Sequence, residues 1–325
     1  MSERAADLSL VVPCHNEEPV VMHTARLLLQ LLDEQRAAGR CGARSLVLFV
    51  DDGSTDATWT LIEQLAHAHP GYIAGLRLSR NVGHQNALLA GLTLAPGDVL
   101  ISLDADLQDD LEVIPQMLDY YRNGHDIVYG VRAQRATDTR MKRLTAAAFY
   151  RLLRRLGVDV IDNHADFRLM SRRAIEMLRQ YGEVNLFLRG IVRLIGLPSA
   201  QVYYQRRERV AGSTKYPWSR MSALAMDGIT SFSVVPLRVI SMLGLLTSVF
   251  ALAVSIWVVF VALTKPSAVP GWASTVLPIT FIGGVQILSI GVLGEYIGKI
   301  YMETKRRPRF IVERAIGLPV PVLEP

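Results

Sequence analysis

Short apolar runs rich in Val, Ile and Leu recur at residues 8–12 (LSLVV), 46–50 (LVLFV), 73–78 (IAGLRL) and 98–103 (DVLISL), each bounded by turn residues. That pattern predicts central β-strands. Between them the apolar positions switch to helical spacing at 18–38, 56–69 and 84–95, the second stretch opened by Ser54, Thr55 and Asp56 as candidate N-caps. Strand alternating with helix implies an α/β fold with a mostly parallel sheet covered on both faces.

Further along, residues 139–157 form a basic helical pattern that fits either a solvated face or a phosphate-facing one, and 166–180 (DFRLMSRRAIEMLRQ) reads as a strand or turn leading into a helix. Val239–Leu263 and Pro266–Gly294 are free of charge, each long enough for the roughly 20 residues that cross a bilayer. Lys265 sits between them, while Arg220 and Arg238 precede the first run and Lys299, Lys305, Arg306, Arg307, Arg309 and Arg314 follow the second. The asymmetry predicts a hairpin of spans with both ends cytoplasmic. Just before it, 216–238 mixes apolar and basic residues as an interfacial helix does, or as an ordinary packed helix does, and Pro236 marks the turn into the first span.

A positive mean hydropathy of +0.24 with half of the residues hydrophobic agrees with membrane contact. The net charge of +5 is compatible with nucleic acid, anionic lipid or phosphorylated substrates and decides little alone. Cys14 and Cys41 lack zinc-ligand spacing and are expected to be reduced thiols. The N-terminus passes straight into a strand without the apolar core of a signal peptide, so the first half is expected to stay in the cytoplasm.

Three polar stretches, PCHNEE (13–18), DDGSTD (51–56) and DADLQDD (104–110), follow the carboxyl ends of predicted strands, where open α/β sheets bind ligands. Acids gathered there are costly unless a cation or a set of donors meets them. All-oxygen ligands suit hard Mg²⁺ or Mn²⁺ better than zinc.

The ordered set VVPCHNEE, VDDGSTDAT, LSRNVGHQNALLAGL, LDADLQDD, HADFRLM, RVAGSTKY and VLGEYIGKIYMETKRRPRF resembles the family 2 glycosyltransferases. In particular it is similar to the polyprenyl-phosphate type that includes bactoprenol glucosyltransferases and dolichol-phosphate mannose synthases. The resemblance runs from Leu10 to about Phe310. It implies a type-A glycosyltransferase domain, Rossmann-like, followed by two transmembrane helices. The expected divisions are a cytoplasmic catalytic domain at 1–215, an interfacial amphipathic helix at 216–235, a transmembrane hairpin at 236–298 and a basic cytoplasmic tail at 299–325.

By the same resemblance Asp104, Asp106 and Gln108 hold Mg²⁺ or Mn²⁺, and Pro13, Asn16, Glu17, Asp51, Asp52, Asn81, Gly83, Gln85, Asp104, Ala105 and Asp106 bind the nucleotide-sugar donor, a UDP-sugar. Gly83 is expected to permit close backbone approach. Asp166 matches the position of the catalytic base. A phosphate monoester is already largely anionic at neutral pH, its second pKa being about 6, so Asp166 either takes a proton or orients the acceptor. Arg132, Arg143, Arg209 and Lys215 match contacts to the acceptor phosphate, and His84 is either a hydrogen-bond fixture or a reactive group.

The implied reaction is inverting transfer of a hexose, glucose from UDP-glucose first, to undecaprenyl phosphate at the cytoplasmic face of the bacterial inner membrane, by an enzyme that relatives suggest is a homotetramer. Mannose from GDP-mannose, UDP-N-acetylglucosamine and UDP-4-deoxy-4-formamido-arabinose stay open as donors. A processive polysaccharide synthase would carry a Gln-x-x-Arg-Trp motif, which is missing here. A catalytically silent membrane scaffold is the remaining alternative, and a nucleic-acid module finds support in charge alone.

Overall fold

The computed structural model describes residues 5–132, 164–183, 188–205, 235–264 and 272–318. Arg143, Arg209, Lys215, the basic stretch at 139–157 and the expected interfacial segment up to residue 234 lie outside the described residues. The chain divides into two compact units, one built on a sheet and one containing two long helices.

In the sheet unit, β1 (Leu8–Cys14), β2 (Leu46–Asp51), β3 (Ile73–Leu78) and β4 (Val99–Ser102) fall on the four apolar runs, with α1 (Glu18–Ala37), α2 (Thr58–Ala68) and α3 (His84–Leu94) between them. A 3₁₀ turn at Leu111–Val113 leads into α4 (Ile114–Arg122) and β5 (Ile127–Arg132). Then come β6 (His164–Ser171), α5 (Arg172–Leu178), α6 (Leu188–Leu194), β7 (Ser199–Tyr204) and, far along the chain, β8 (Val312–Ile316). Every residue of β1, β2 and β4 is buried, as strands covered by helices on both faces require.

The strand order is β7-β5-β6-β4-β1-β2-β3-β8, with β6 and β8 antiparallel to their neighbours and the remaining pairs parallel. The chain runs outward from β1 through β2 to β3, then crosses to place β4 on the other side of β1. This reversal opens a crevice at the carboxyl ends of β1 and β4, where open sheets of this kind take their ligands. Pairing with β4 ends at Val11, whereas pairing with β2 continues to Cys14. The carbonyl of Val11 accepts from the Leu103 N–H on the β4 side. Pro13, two residues on, faces the same side, where β4 has already ended, so its missing N–H costs no rung.

Segment 299–325, expected as a basic tail, behaves differently. Residues up to Thr304 continue a helix, and β8 closes the edge of the sheet against β3. The Ser79 N–H donates to the Ile311 carbonyl, and Arg309 donates to the Tyr181 carbonyl.

The other unit contains α7 (Val235–Thr264) and α8 (Trp272–Thr304), which pack on each other. At 1.5 Å per residue they are about 45 and 50 Å long, against a bilayer hydrocarbon core of about 30 Å. Phe281–Thr304 is long and apolar enough to span a membrane, with a mean hydropathy of 1.4 and no part of it buried within the chain. Leu245, Phe250, Trp257, Phe260, Ile287, Ile290 and Ile297 are all exposed.

One glycine fixes the distance between the loops after β2 and β3. Gly53 has φ +60°, and a Cβ there would lie 2.6 Å from the carbonyl carbon of Arg80 and the nitrogen of Asn81. Gly53→Ala therefore meets both an unfavourable backbone region and a clash with main chain. We expect it to lower stability by about 1–3 kcal/mol, read as a drop in the thermal unfolding midpoint.

Candidate active site

The loops at the carboxyl ends of β1, β2 and β3 are laced together by short polar side chains. Asn16 adopts φ 54°, its N–H donates to Ser54 Oγ at 3.0 Å, and its Oδ1 accepts from the Thr55 N–H at 2.8 Å. The Glu17 N–H donates to Thr58 Oγ1 at 2.9 Å. Asn81 Nδ2 lies 2.9 Å from His15 Nε2, and the other ring nitrogen of His15 lies 2.9 Å from the Asp52 carbonyl.

The sequence reading has Asp51 and Asp52 facing the nucleoside; in the structure both turn inward. Asp52 Oδ1 and Oδ2 accept the N–H groups of Val82 (2.7 Å) and Gly83 (3.0 Å), so this carboxylate shapes the turn before α3. Asp51 is fully buried, with Oδ1 accepting from the Ser54 N–H and Oδ2 lying 3.6 Å from Arg77 Nε. Burial raises the Asp51 pKa above the ordinary carboxylate value. Gly83 supplies a positive φ of 91° with open space beside it.

Past β4 the chain turns sharply through Asp104–Leu107, with Leu107 at φ 45°. Thr24 Oγ1 on α1 donates to the Ala105 carbonyl at 2.6 Å and pins the turn. The Gln108 side-chain amide nitrogen donates to Asp106 Oδ2, and the Gln108 N–H donates to Oδ1. Gln108 thus orients Asp106 in this structure. Asp104 is 37% exposed at its side chain and faces the crevice.

Beside this turn, antiparallel β6 enters the edge with its amino end, bringing Asp166 and Arg168 to one face. Asp166 Oδ1 accepts from Arg168 Nη2 at 2.6 Å. Arg189 of α6 reaches the same carboxylate through Nε (3.2 Å) and Nη2 (3.1 Å). His84 Nε2, from the first turn of α3, stands 3.6 Å from Asp166 and 3.7 Å from Asp104. Gln85, expected at the donor, accepts the Leu188 N–H at 3.1 Å and so holds the start of the helix that bears Arg189.

On the far side of β6, Arg132 Nη2 donates to Asp109 at 3.2 Å and its Nε to Tyr204 Oη at 3.2 Å, while the Tyr204 hydroxyl donates to Asp109. Arg168, Arg189 and Tyr204 have no role in the sequence reading, and Asp109 figures there only as one of the acids gathered after β4. The spacing Asp166-x-Arg168 on a strand is the one signal that could have found a member of this group.

Opposite environments separate the two central acids. Burial, with Asp109, Asp166 and Asp106 nearby, pushes Asp104 up to about 6, and His84 offsets part of this. Burial would also raise Asp166, but Arg189, His84 and Arg168 outweigh it and hold Asp166 well below the carboxylate range. Burial opposes charge on His84, yet the Asp166 and Asp104 carboxylates lift its pKa overall.

Among the described residues no three His, Cys, Asp or Glu side chains form a ready metal cluster. Two carboxylates are the usual protein share of a Mg²⁺ site completed by substrate phosphates and water. Burial, and after it the surplus negative charge of Asp109, Asp166 and Asp106, lifts Asp104, an arrangement that fits a cation at Asp104 and Asp106.

Linkage gives this surplus a sign. A carboxyl whose folded pKa is raised destabilises the fold above that pKa and has no effect below the unfolded value of about 4. Asp104→Asn should therefore raise the unfolding midpoint of metal-free protein in EDTA at neutral pH. The gain should shrink as the pH falls through about 6 and vanish near about 4, in a pH series of thermal melts.

The family model for glycosyl transferase family 2 matches residues 9–179. An uncharacterized glycosyltransferase, YkoT, of Bacillus subtilis is 48% identical over 96% of this chain and 93% of its own length. A prophage bactoprenol glucosyl transferase homolog of Escherichia coli is 41% identical over 94% of this chain and 98% of its own. The bactoprenol glucosyl transferase of Shigella phage SfII is 41% identical over 95% and 98%. Among solved structures, a mannosyltransferase from Pyrobaculum calidifontis aligns with 70% of this chain and 64% of its own at 18% identity and a TM-score of 0.47, too slight a likeness to carry an argument. With the family pattern spanning β1 to α5 and relatives matching almost end to end, the chain belongs to glycosyl transferase family 2.

Proposed function

We propose that this glycosyltransferase moves a hexose, glucose from UDP-glucose first, onto polyprenyl phosphate at the cytoplasmic face of the membrane, with inversion at the sugar carbon. The observation that carries the reading is the 41% identity to bactoprenol glucosyl transferases, which extends over both the sheet unit and the two long apolar helices. A lipid-linked acceptor explains why one chain joins a nucleotide-type sheet to helices whose apolar faces are exposed. In this reading α7 and α8 cross the bilayer, with Arg238, Lys299, Lys305, Arg306 and Arg307 at the cytoplasmic boundary.

The donor nucleoside lies over the ends of β1 and β2, where Pro13, Asn16, Glu17 and Asn81 line the walls and Asp51 and Asp52 set the loops. Asp104 and Asp106 hold Mg²⁺ or Mn²⁺, with Gln108 orienting Asp106. When bound, the ion neutralises charge on the departing nucleoside diphosphate. Asp166 is a weak proton acceptor between two arginines, which supports an orienting role. The acceptor, largely deprotonated at neutral pH with a second pKa of about 6, needs no base before its oxygen attacks the sugar carbon. Arg132 contributes charge on the acceptor side, and Arg143, Arg209 and Lys215 join it by family resemblance.

The test is transfer of radiolabelled sugar from a panel of UDP- and GDP-sugars to undecaprenyl phosphate by the purified protein in detergent. We expect labelled lipid with Mg²⁺ or Mn²⁺, none with EDTA, and none with Asp104→Ala. Labelling that survives EDTA would overturn the metal assignment, and a protein that binds UDP yet labels no lipid would overturn the acceptor.

A further inference from the structure

Two guanidiniums meet Asp166, and they differ in what else they can touch. The Arg168 side chain is 1% exposed and enclosed, whereas that of Arg189 is 39% exposed. A single carboxylate leaves one of the two positive charges unmatched, and the part of that surplus which reaches open space belongs to Arg189. Asp104 also acts on Arg189, but its charge is answered once a cation is bound. Arg189 uses Nε and Nη2 on Asp166, and among the described residues its Nη1 makes no hydrogen bond.

Arg132 stands close enough for its charge to repel that of Arg189. Its own partner Asp109 is shared with Tyr204. Two cations brought together at one edge are unfavourable by themselves and become a binding device when an anion enters, since phosphate oxygens accept strong charge-assisted bonds from guanidinium forks.

Position along the sheet edge decides which phosphate this is. The loops proposed for the nucleoside follow β1 and β2, the acids proposed for the cation follow β4, and Asp166 with Arg189 comes next at β6, before Arg132 on β5. The donor diphosphate is accounted for at β4, so the anion beyond β6 is the second substrate.

We propose that Arg189 contacts the phosphate of the acceptor together with Arg132, and that Asp166 is the positioning residue that holds Arg189 in place. The inference rests on the acceptor reading above and goes further by giving Asp166 its partner. The first turn of α3 completes the support, His84 standing against Asp166 and Gln85 holding the Leu188 N–H.

The experiment uses the full chain in detergent and compares wild type, Arg189→Gln, Arg189→Lys, Asp166→Asn and the Arg189→Gln/Asp166→Asn double variant. It measures UDP affinity by calorimetry with Mg²⁺ and steady-state transfer to undecaprenyl phosphate. Losing a hydrogen bond to a charged group predicts an acceptor KM raised about 10- to 100-fold in Arg189→Gln, with UDP affinity changed less than about twofold. Lysine, which keeps the charge and loses the fork, should recover part of that loss. Asp166→Asn should raise the acceptor KM in the same sense and add little to Arg189→Gln, as coupled residues do.

Weakened UDP binding in Arg189→Lys, with acceptor KM unchanged, would assign this arginine to the donor and overturn the proposal. So would an Asp166→Asn protein that loses kcat at constant acceptor KM, the signature of a base. If Arg189→Gln fails to fold, the lysine variant decides by the same two readings. A wild type that binds UDP but transfers to no lipid phosphate sinks the acceptor reading itself, before any variant is made.

Discussion

Asp166 and Arg168 sit two residues apart on β6, a strand wedged between β4 and β5, and their mutual burial constrains everything at this end of the sheet. Removing one partner from such a pair leaves an uncompensated charge, at a cost of about 3–5 kcal/mol. The surroundings are arranged accordingly. The Ser102 hydroxyl of β4 donates to the Asp166 carbonyl, Arg189 adds a second guanidinium, and His84 approaches from α3. A carboxylate treated this way keeps its charge and its orientation, which are the properties of an anchor. It gives up the proton affinity that a base requires.

The remaining acids of the edge divide in the same manner between construction and chemistry. Asp52 spends both oxygens on backbone N–H groups, and Asp109 is tied to Arg132 and Tyr204. Asp104 is the contrasting case, a carboxylate only partly exposed and with three other carboxylates nearby. Most of the conspicuous polar residues build walls, and the few left facing open space are candidates for contact with substrate.

This division explains what could be read from the chain before its fold was known. The strands β1 to β4 announce themselves because they are buried on both faces and read as unbroken apolar runs. Three later strands are less plain: β6 carries His164, Asp166 and Arg168 and reads only as a strand or turn, β7 alternates exposed and buried positions, and β8 contains Glu313 and Arg314 at an edge. Their strand character comes from pairing rather than from composition. In the site, Asp104 and Asp106 stand out as acids directly after an apolar strand. Arg189, inside the apolar stretch LFLRGIV, makes sense only once the fold brings it to Asp166, and Gln85 shows its purpose only against a backbone N–H at Leu188, 103 residues away.

The placement of β8 bears on the order in which the protein is made. Six of the sheet's strands are complete within the first 171 residues and the seventh by Tyr204, yet the partner of β3 emerges after both long helices have been synthesised. Through that interval one side of β3 presents unpaired N–H and C=O groups, the kind of open margin that invites pairing with other chains. Closure of the sheet therefore waits on synthesis of both long helices, because the strand that seals its β3 edge follows them in the chain.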